Sequence, residues 1–283
     1  MYKSINVWSF PEGMTLQQMM TEAKRLGYQG FEPALEAEGE LSLNSTDDEV
    51  KAVRALADRI GIRLTSLAAG LSWGCNPVSN DPATREKSLR QARRVLECAK
   101  ILGVEAVLYV PGMVGTGFWG GADDFVSYQD CWDRAVANCR ALGAYAAELG
   151  VVLAVENVWN NFLLSPIEMK YFLEAVGCDA VKAYFDVGNV VKFGFPEMWI
   201  DVLGDRIARV HVKDFKRSIG TLDGFTDLLS GDVDYPAVIA ALKRVGYDGP
   251  LTGEMNNSVA CYRENAVARA AAALDIILAG AQD

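Results

Sequence analysis

Histidine is almost absent from this chain, which has a single one, His211, in 283 residues. Cysteine occurs six times, but the copies are scattered and none forms the CxxC pair of a zinc or redox motif. We therefore expect neither a cysteine-based zinc framework nor a disulfide framework. Buried free thiols are typical of a reducing compartment, so the sequence favours a cytoplasmic location.

Long apolar runs and an excess of basic charge are also missing. No apolar run approaches the roughly 20 residues of a membrane-spanning helix, and the first residues do not resemble a secretory signal peptide. The net charge is −10 and the isoelectric point is about 4.8. Because nucleic-acid binding requires a basic surface, we expect neither a nucleic-acid partner nor a membrane partner.

What the chain does have is a regular alternation of short apolar runs and helical periodicity. The runs are near-continuously apolar, as in strands that are buried on both faces. Eight runs, each followed by a helical pattern, predict an α/β fold: one (β/α)8 TIM barrel over residues 1–283 with its active site at the C-terminal ends of the strands. The predicted strands cover residues 5–10, 30–35, 63–70, 106–112, 152–158, 181–189, 207–214 and 250–256.

Local signals mark where several helices begin. Ser165-Pro166-Ile167-Glu168 predicts a capping box, with Ser as the N-cap, Pro in the first helical position and Glu two residues later. Asp81-Pro82 is expected to open another helix in the same way.

Residue types that bind metals stand at the ends of the last four predicted strands: Glu156, Asp186, His211 and Glu254. Because the C-terminal ends of barrel strands meet at one mouth, we expect these side chains to converge. Three carboxylates and an imidazole suit one divalent cation, Mn²⁺, Mg²⁺, Co²⁺ or Zn²⁺. Glu156 and Glu254 are also available as general acid and base. Through a metal-stabilised enediolate, such a site fits epimerisation, aldose–ketose isomerisation or dehydration of a sugar.

Two connections are longer than a barrel requires, at residues 112–124 and 214–234. Both follow strand C-termini, so we expect them to cover the active site, with Trp119 as an aromatic wall. Trp8 and Trp73 stand near the ends of the first and third strands, where they either stack on a sugar or fill the core. Glu32, at the end of the second strand, is predicted to bind a substrate hydroxyl.

The chain resembles the sugar phosphate isomerase/epimerase superfamily, the xylose isomerase-like TIM barrels, along essentially its whole length. The group includes L-ribulose-5-phosphate 3-epimerase, D-tagatose 3-epimerase, hydroxypyruvate isomerase and inosose dehydratase. The motifs that carry the resemblance are AVEN (154–157), FDVGN (185–189), VHVKD (210–214), GDVDYPAVIAAL (231–242) and GYDGPLTGEM (246–255).

The resemblance implies that Glu156, Asp186, His211 and Glu254 bind one divalent metal, with Mn²⁺ the first choice, and that the two glutamates exchange the substrate proton. It implies an isomerase that epimerises or isomerises a sugar or sugar phosphate. A lyase that acts on an inosose or a 3-keto sugar is the alternative. Relatives are often homodimers or homotetramers, but no stretch of this sequence identifies an interface, and the oligomeric state stays open. Endonuclease IV shares the fold but needs many histidines, and the single histidine excludes its type of site.

Some expected substrate contacts match the family and others depart from it. Arg217 stands six residues after the histidine, where an arginine often holds a substrate hydroxyl. The tagatose-type enzymes have a histidine three residues after the aspartate, where this chain has Asn189. They also have Asn-Arg-Phe-Glu where this chain has Asn-Asn-Phe-Leu at 160–163. These departures place a tagatose-type substrate in question.

The strand-seven region leaves two questions open. Lys213 and Asp214 are either substrate contacts or an ion pair at the strand end. Lys216, Arg217 and Gly220 could hold a phosphate group through charge and backbone N–H groups, although no dedicated phosphate loop is visible. The phosphorylation state of the substrate is therefore undecided by the sequence.

Overall fold

The computed structural model describes residues 1–115, 125–255 and 265–280 of the chain. Trp119, predicted as an aromatic wall, lies outside these residues. Eight parallel strands form one curled sheet, and two short antiparallel strands form a separate hairpin. In chain order the strands are β1 (Tyr2–Asn6), β2 (Gly30–Glu32), β3 (Arg63–Leu64), β4 (Ala106–Tyr109), β5 (Val152–Glu156), β6 (Val181–Asp186), β7 (Ile207–Val212), β8 (Asp214–Phe215), β9 (Phe225–Thr226) and β10 (Pro250–Gly253).

Helices alternate with the sheet strands, as the sequence predicts. In the described part of the chain they are α1 (Leu16–Arg25), α2 (Asp47–Ile60), α3 (Leu71–Gly74), α4 (Pro82–Leu102), α5 (Tyr128–Leu149), α6 (Pro166–Val176), α7 (Pro196–Leu203), α8 (Tyr235–Arg244) and α9 (Ala266–Ala279). Each connection between consecutive sheet strands therefore contains at least one helix. This order agrees with the predicted α/β barrel.

The sheet runs in the order β3, β2, β1, β10, β7, β6, β5, β4. Beyond the last residue of β3, the amide of Leu67 donates a hydrogen bond to the carbonyl of Ala106 at 3.0 Å. The amide of Leu108 in turn donates to the carbonyl of Leu67 at 2.9 Å. These two bonds join the two ends of the curled sheet to each other.

Alternation along the strands decides which side chains face the interior of the curl. On β6, Ala183 and Phe185 pack in the large apolar core shared with the helices, whereas Tyr184 belongs to a separate interior cluster. Successive strand residues face opposite sides of a sheet, so Asp186 points inward with Tyr184. The same alternation turns Glu156 of β5 and His211 of β7 inward.

The predicted helix starts are largely confirmed, with one correction at α6. Ser165 caps this helix through Oγ, which accepts a hydrogen bond from the amide of Glu168 at 3.1 Å. The predicted capping box is incomplete, because the Glu168 carboxylate accepts the amides of Leu163 and Leu164 and not that of Ser165. At α4, Asp81 accepts the amides of Ala83 and Thr84, as predicted.

A second correction concerns residues 214–234, predicted as a long loop. This segment contains the β8–β9 hairpin, in which Asp214 pairs with Thr226 and Phe215 with Phe225. The five cysteines among the described residues are all unpaired, in agreement with the expected free thiols. No helix in the described part of the chain is long and apolar enough to cross a bilayer.

Candidate metal centre

The four residues predicted as metal ligands do come together at the C-terminal ends of their strands. One donor atom from each of Glu156, Asp186, His211 and Glu254 lies within 4.8 Å of all the others. We call these four residues the ligand cluster. Seen from His211 Nδ1, the nearest carboxylate oxygens are Glu254 Oε2 at 2.7 Å, Glu156 Oε1 at 3.9 Å and Asp186 Oδ2 at 4.0 Å.

Three buried atoms of the ligand cluster make no hydrogen bond of normal geometry: Asp186 Oδ2, His211 Nδ1 and Glu254 Oε2. Nδ1 and Oε2 nevertheless lie 2.7 Å apart, and the Lys213 ammonium lies 3.2 Å from Asp186 Oδ2. Buried polar atoms in proteins are nearly always satisfied, so orphans that face one another need an explanation. A divalent cation between them accounts for all three, since carboxylate oxygens and one imidazole nitrogen are suitable ligands for it. The residues present therefore fit the metal that the sequence predicts.

Glu32 lies directly behind His211 and is completely buried. Its Oε2 is 2.7 Å from His211 Nε2 and accepts a bond from Asn6 Nδ2 at 2.6 Å. Its Oε1 accepts hydroxyl donors from Ser66 and Tyr184, each at 2.5 Å. Sequence reasoning assigned Glu32 to a substrate hydroxyl, but the structure surrounds it with four side chains and leaves it no exposed surface. A carboxylate at this place orients the ligand histidine and directs Nδ1 toward the cluster.

Lys213 brings a positive charge to the same cluster. Its ammonium lies 3.2 Å from Asp186 Oδ2 and 3.0 Å from Glu254 Oε1, and the side chain is buried. The predicted alternative, an ion pair with its neighbour Asp214, is not formed. Asp214 instead accepts the backbone amides of Phe215 and of two residues in the loop after the hairpin, Gly231 and Val233.

The two glutamates of the cluster have opposite pKa shifts. Burial raises the pKa of Glu156 to about 8, with Lys213 opposing the shift and Glu254 adding to it. Burial also acts to raise the pKa of Glu254, but Lys213 and His211 outweigh it and lower this pKa to about 2. Without a metal, one glutamate thus carries a proton at neutral pH and the other is ionised. Carboxyl pairs with separated pKa values are typical of acid–base sites.

Comparison with known proteins identifies the family. The sequence profile of the xylose isomerase-like TIM barrel family matches residues 20–277. The chain belongs to this family. Among characterised relatives, L-ribulose 3-epimerase of Methylomonas sp. (strain DH-1) is 26% identical over 242 residues, which cover 83% of this chain and 77% of that protein. The resemblance seen in the sequence motifs is therefore confirmed.

Two further proteins similar to this chain are named as sugar epimerases. The putative L-ribulose-5-phosphate 3-epimerase SgbU of Escherichia coli (strain K12) is 30% identical over 186 residues, which cover 62% of this chain and 60% of that protein. A solved structure of L-ribulose 3-epimerase superposes with a TM-score of 0.82 at 17% identity, covering 99% of this chain and 95% of the other. At that identity the superposition shows a shared fold.

In this xylose isomerase-like barrel, two asparagines hold the strand ends that carry the ligands. Asn157 donates to the carbonyl of Asp186 and accepts its amide, both at 2.9 Å. Asn189 donates its side-chain N–H to the carbonyl of Asn157 at 3.0 Å, and its amide binds Asp186 Oδ1 at 2.8 Å. The Asn189 side chain, predicted as a substrate contact, is thus engaged with the backbone while the residue lines the cavity described next.

A cavity of about 160 Å³ opens onto the ligand cluster. Glu156, Asn189, Lys213 and Glu254 form its polar end, and its other walls are aromatic and apolar. The rings come from Trp8 and Trp73, for which the sequence left sugar stacking and core packing open, and from Trp159 and Phe225. Trp159 and Phe225 were not singled out from the sequence, because the hairpin that carries Phe225 reads as an irregular loop.

Arg217 lies apart from the cavity lining. Its guanidinium donates to the carbonyl of Val191 at 3.0 Å and to that of Gly194 at 3.0 Å, and it stacks over the ring of Phe195. These contacts fasten the connection after β6 to the segment after β7. The predicted contact between Arg217 and a substrate hydroxyl remains a prediction, as do the roles of the other predicted substrate-binding residues.

Proposed function

We propose that this protein is a metal-dependent sugar epimerase or isomerase whose active site is the ligand cluster and the cavity above it. The observation that carries the proposal is the convergence of four ligand-type side chains at the strand ends, with one donor atom of each within 4.8 Å of the others. The names of the relatives, L-ribulose 3-epimerase above all, support the reaction class. A divalent cation held there, Mn²⁺ in our proposal, would polarise adjacent carbonyl and hydroxyl oxygens of a sugar and acidify the C–H bond beside them.

The two glutamates perform the proton transfers in this proposal. Glu254, which is ionised, removes a proton from the carbon next to the carbonyl group. The electron pair of the broken C–H bond moves into an enediolate. Glu156, acting as the acid, returns a proton to the same carbon from the opposite face, and this inverts the centre. The strands that carry them, β5 and β10, are separated by β6 and β7 in the sheet, so the two carboxyls approach the cavity from different sides.

Lys213 stabilises the negative charge that develops in this step. It is the cation that lines the cavity next to Glu156 and Glu254, and burial keeps solvent from screening it. Burial acts to lower the pKa of Lys213, but Asp186 and Glu254 raise it far above its ordinary value. The ammonium is therefore a permanent charge, suited to hold an oxyanion and not to move a proton.

Deuterium incorporation tests the proposal. Purified protein loaded with Mn²⁺ is incubated in D₂O with free and phosphorylated ketoses, and the recovered sugars are analysed by mass spectrometry and chromatography. We expect deuterium on carbon together with a second sugar isomer, and a loss of about 10²–10⁴-fold in rate for Glu156→Gln and for Glu254→Gln. Formation of an unsaturated ketone from an inosose or 3-keto sugar, without exchange on any ketose, would favour the lyase instead.

A further inference from the structure

The residues that line the cavity indicate whether the substrate carries a phosphate group, which the ligand cluster alone does not. Building on the proposed function, we propose that the substrate is an uncharged sugar without a phosphate group, and that its carbons beyond the reacting centre stack between aromatic rings. The argument rests on what forms the walls, on where the nearby cations point, and on the charge of the polar end.

Aromatic rings stand on opposite sides of the cavity. Trp8 follows β1 and Trp159 follows β5, and these strands are half a circuit apart in the eight-stranded curl. Trp8 and Trp73 flank Gly70, where a Cβ would lie 3.8 Å from each indole. Trp159 packs against Phe225 with ring centroids 5.3 Å apart. A sugar between these walls meets aromatic rings, and the negative potential of a ring face suits the weakly positive C–H face of a neutral sugar.

The indole N–H groups of two walls are already in use. Trp8 Nε1 donates to Glu36 Oε1 at 2.7 Å, and Trp159 Nε1 donates to the carbonyl of Asn189 at 2.8 Å. These bonds fix the ring planes and withdraw both donors from a ligand. A phosphate group, by contrast, needs several N–H donors or cations directed at its oxygens.

Cations near the cavity are committed elsewhere. Among the described residues that line it, Lys213 is the one cation, and it pairs with Asp186 and Glu254. The ammonium of Lys192 lies over the ring of Trp159, 4.5 Å from its centroid. Arg217, expected as a phosphate contact, donates to backbone carbonyls outside the lining. Lys216, the other cation that the sequence offered for a phosphate, is exposed and does not belong to the cavity lining.

The charge at the polar end also disfavours a phosphate. Glu156, Asp186 and Glu254 surround the reacting centre, and Glu32 lies behind them. A phosphate monoester carries about −1.5 to −2 charges at neutral pH. Lys213 and a bound divalent cation offset these carboxylates, and the described lining holds no further cation to pair with a phosphate, whereas a neutral sugar needs none.

Matched substrate pairs test the inference. The Mn²⁺-loaded protein is given L-ribulose and L-ribulose 5-phosphate, D-tagatose and D-tagatose 6-phosphate, and D-fructose and D-fructose 6-phosphate, with deuterium incorporation as the readout. We expect the best free ketose to exceed its phosphate in kcat/KM by at least about tenfold. Equal or better turnover of the phosphates would overturn this inference and leave the proposed function standing. No exchange with any of the six sugars would overturn both.

Two tryptophan variants test whether the sugar stacks on the aromatic wall. Trp8→Ala is expected to raise KM for the best free ketose by about 3–10-fold, the usual worth of an aromatic contact, with a smaller change in kcat. Trp132→Phe is the matched control, because Trp132 packs on Phe162 and Phe172 away from the cavity. A KM that Trp8→Ala leaves equal to that of the control would contradict stacking on this wall.

Discussion

At the scale of single residues, Lys213 competes for the same carboxylates with the metal that we propose. The ammonium lies within 3.2 Å of oxygens from Asp186 and Glu254, so it partly neutralises two ligands that a cation would use. Because the buried ammonium keeps its proton, it can assist the reaction only by stabilising the negative charge that develops on the substrate. Metal binding and turnover should therefore respond to Lys213 in opposite directions.

We expect Lys213→Met to bind Mn²⁺ more tightly, because the repulsion between ammonium and metal is removed. Turnover should fall by about 10²–10³-fold, the usual cost of removing one group that stabilises an oxyanion. Calorimetry measures the first effect and steady-state kinetics the second. Lys182→Met is the control, since Lys182 lies on β6 but binds the carbonyl of Asp205 outside the site. Unchanged turnover in Lys213→Met would contradict the role assigned to this lysine.

In the proposed metal site, we expect Glu32 to act on the metal through His211. We expect Glu32→Gln to weaken Mn²⁺ binding by about 10–100-fold, because the acceptor that fixes the orientation and basicity of the imidazole is lost. Calorimetric titration of the metal-free protein provides the measurement without reference to activity. Glu38→Gln is the matched control on an exposed loop. If the two variants bind Mn²⁺ equally well, Glu32 does not position the ligand.

We expect the affinity of the protein for Mn²⁺ to decrease as the pH is lowered. Glu156 has a pKa of about 8, and although burial acts to lower the pKa of His211, Glu32 and Glu254 raise it well above its ordinary value. Both groups are thus protonated at neutral pH, and a metal must displace those protons. We expect the affinity for Mn²⁺ to fall by at least about tenfold for each unit of pH below 8. Titrations that give the same dissociation constant from about pH 6 to pH 8 would contradict these shifts.

At the scale of elements, the site depends on how strand ends are held. β5 and β6 each end on a ligand, and Asn157 bridges them with two hydrogen bonds to the backbone of Asp186. We expect Asn157→Ala to lower the free energy of unfolding by about 1–3 kcal/mol, because it leaves a buried N–H and a buried C=O without partners. Urea denaturation gives this value, with the exposed Asn44→Ala as control. A stability equal to that of the control would show that these bonds do not hold the two strands.

Element boundaries were predictable where a local signal exists. Asp81-Pro82 and Ser165-Pro166 mark the starts of α4 and α6, because capping and a preset φ angle are properties of neighbouring residues. The end of the third strand was not predictable from the sequence, because the apolar run 63–70 continues after β3 ends at Leu64. Those later residues are buried at the mouth of the curl and pair only through isolated bridges, such as that of Leu67 with Val107. Apolar composition does not distinguish such bridges from a continuous strand.

At the scale of the whole molecule, the ligand cluster was predictable and its surroundings were not. Residue type and position at a strand end are readable from the sequence, and the barrel order then brings the four ligands together. The partners of Glu32 come from β1, β6 and the segment after β3, and no spacing in the sequence pairs them. The aromatic walls likewise depend on a hairpin and on side-chain directions that only the packed molecule fixes.

One measurement tests the central claim most directly: an anomalous difference map from crystals of the protein grown with Mn²⁺. We expect a single strong peak at bonding distance, roughly 2.0–2.3 Å, from the free donor atoms of Glu156, Asp186, His211 and Glu254. Loss of this peak in His211→Ala crystals would support the assignment further. A map with no peak at the cluster, or with Mn²⁺ bound only elsewhere on the molecule, would contradict the account.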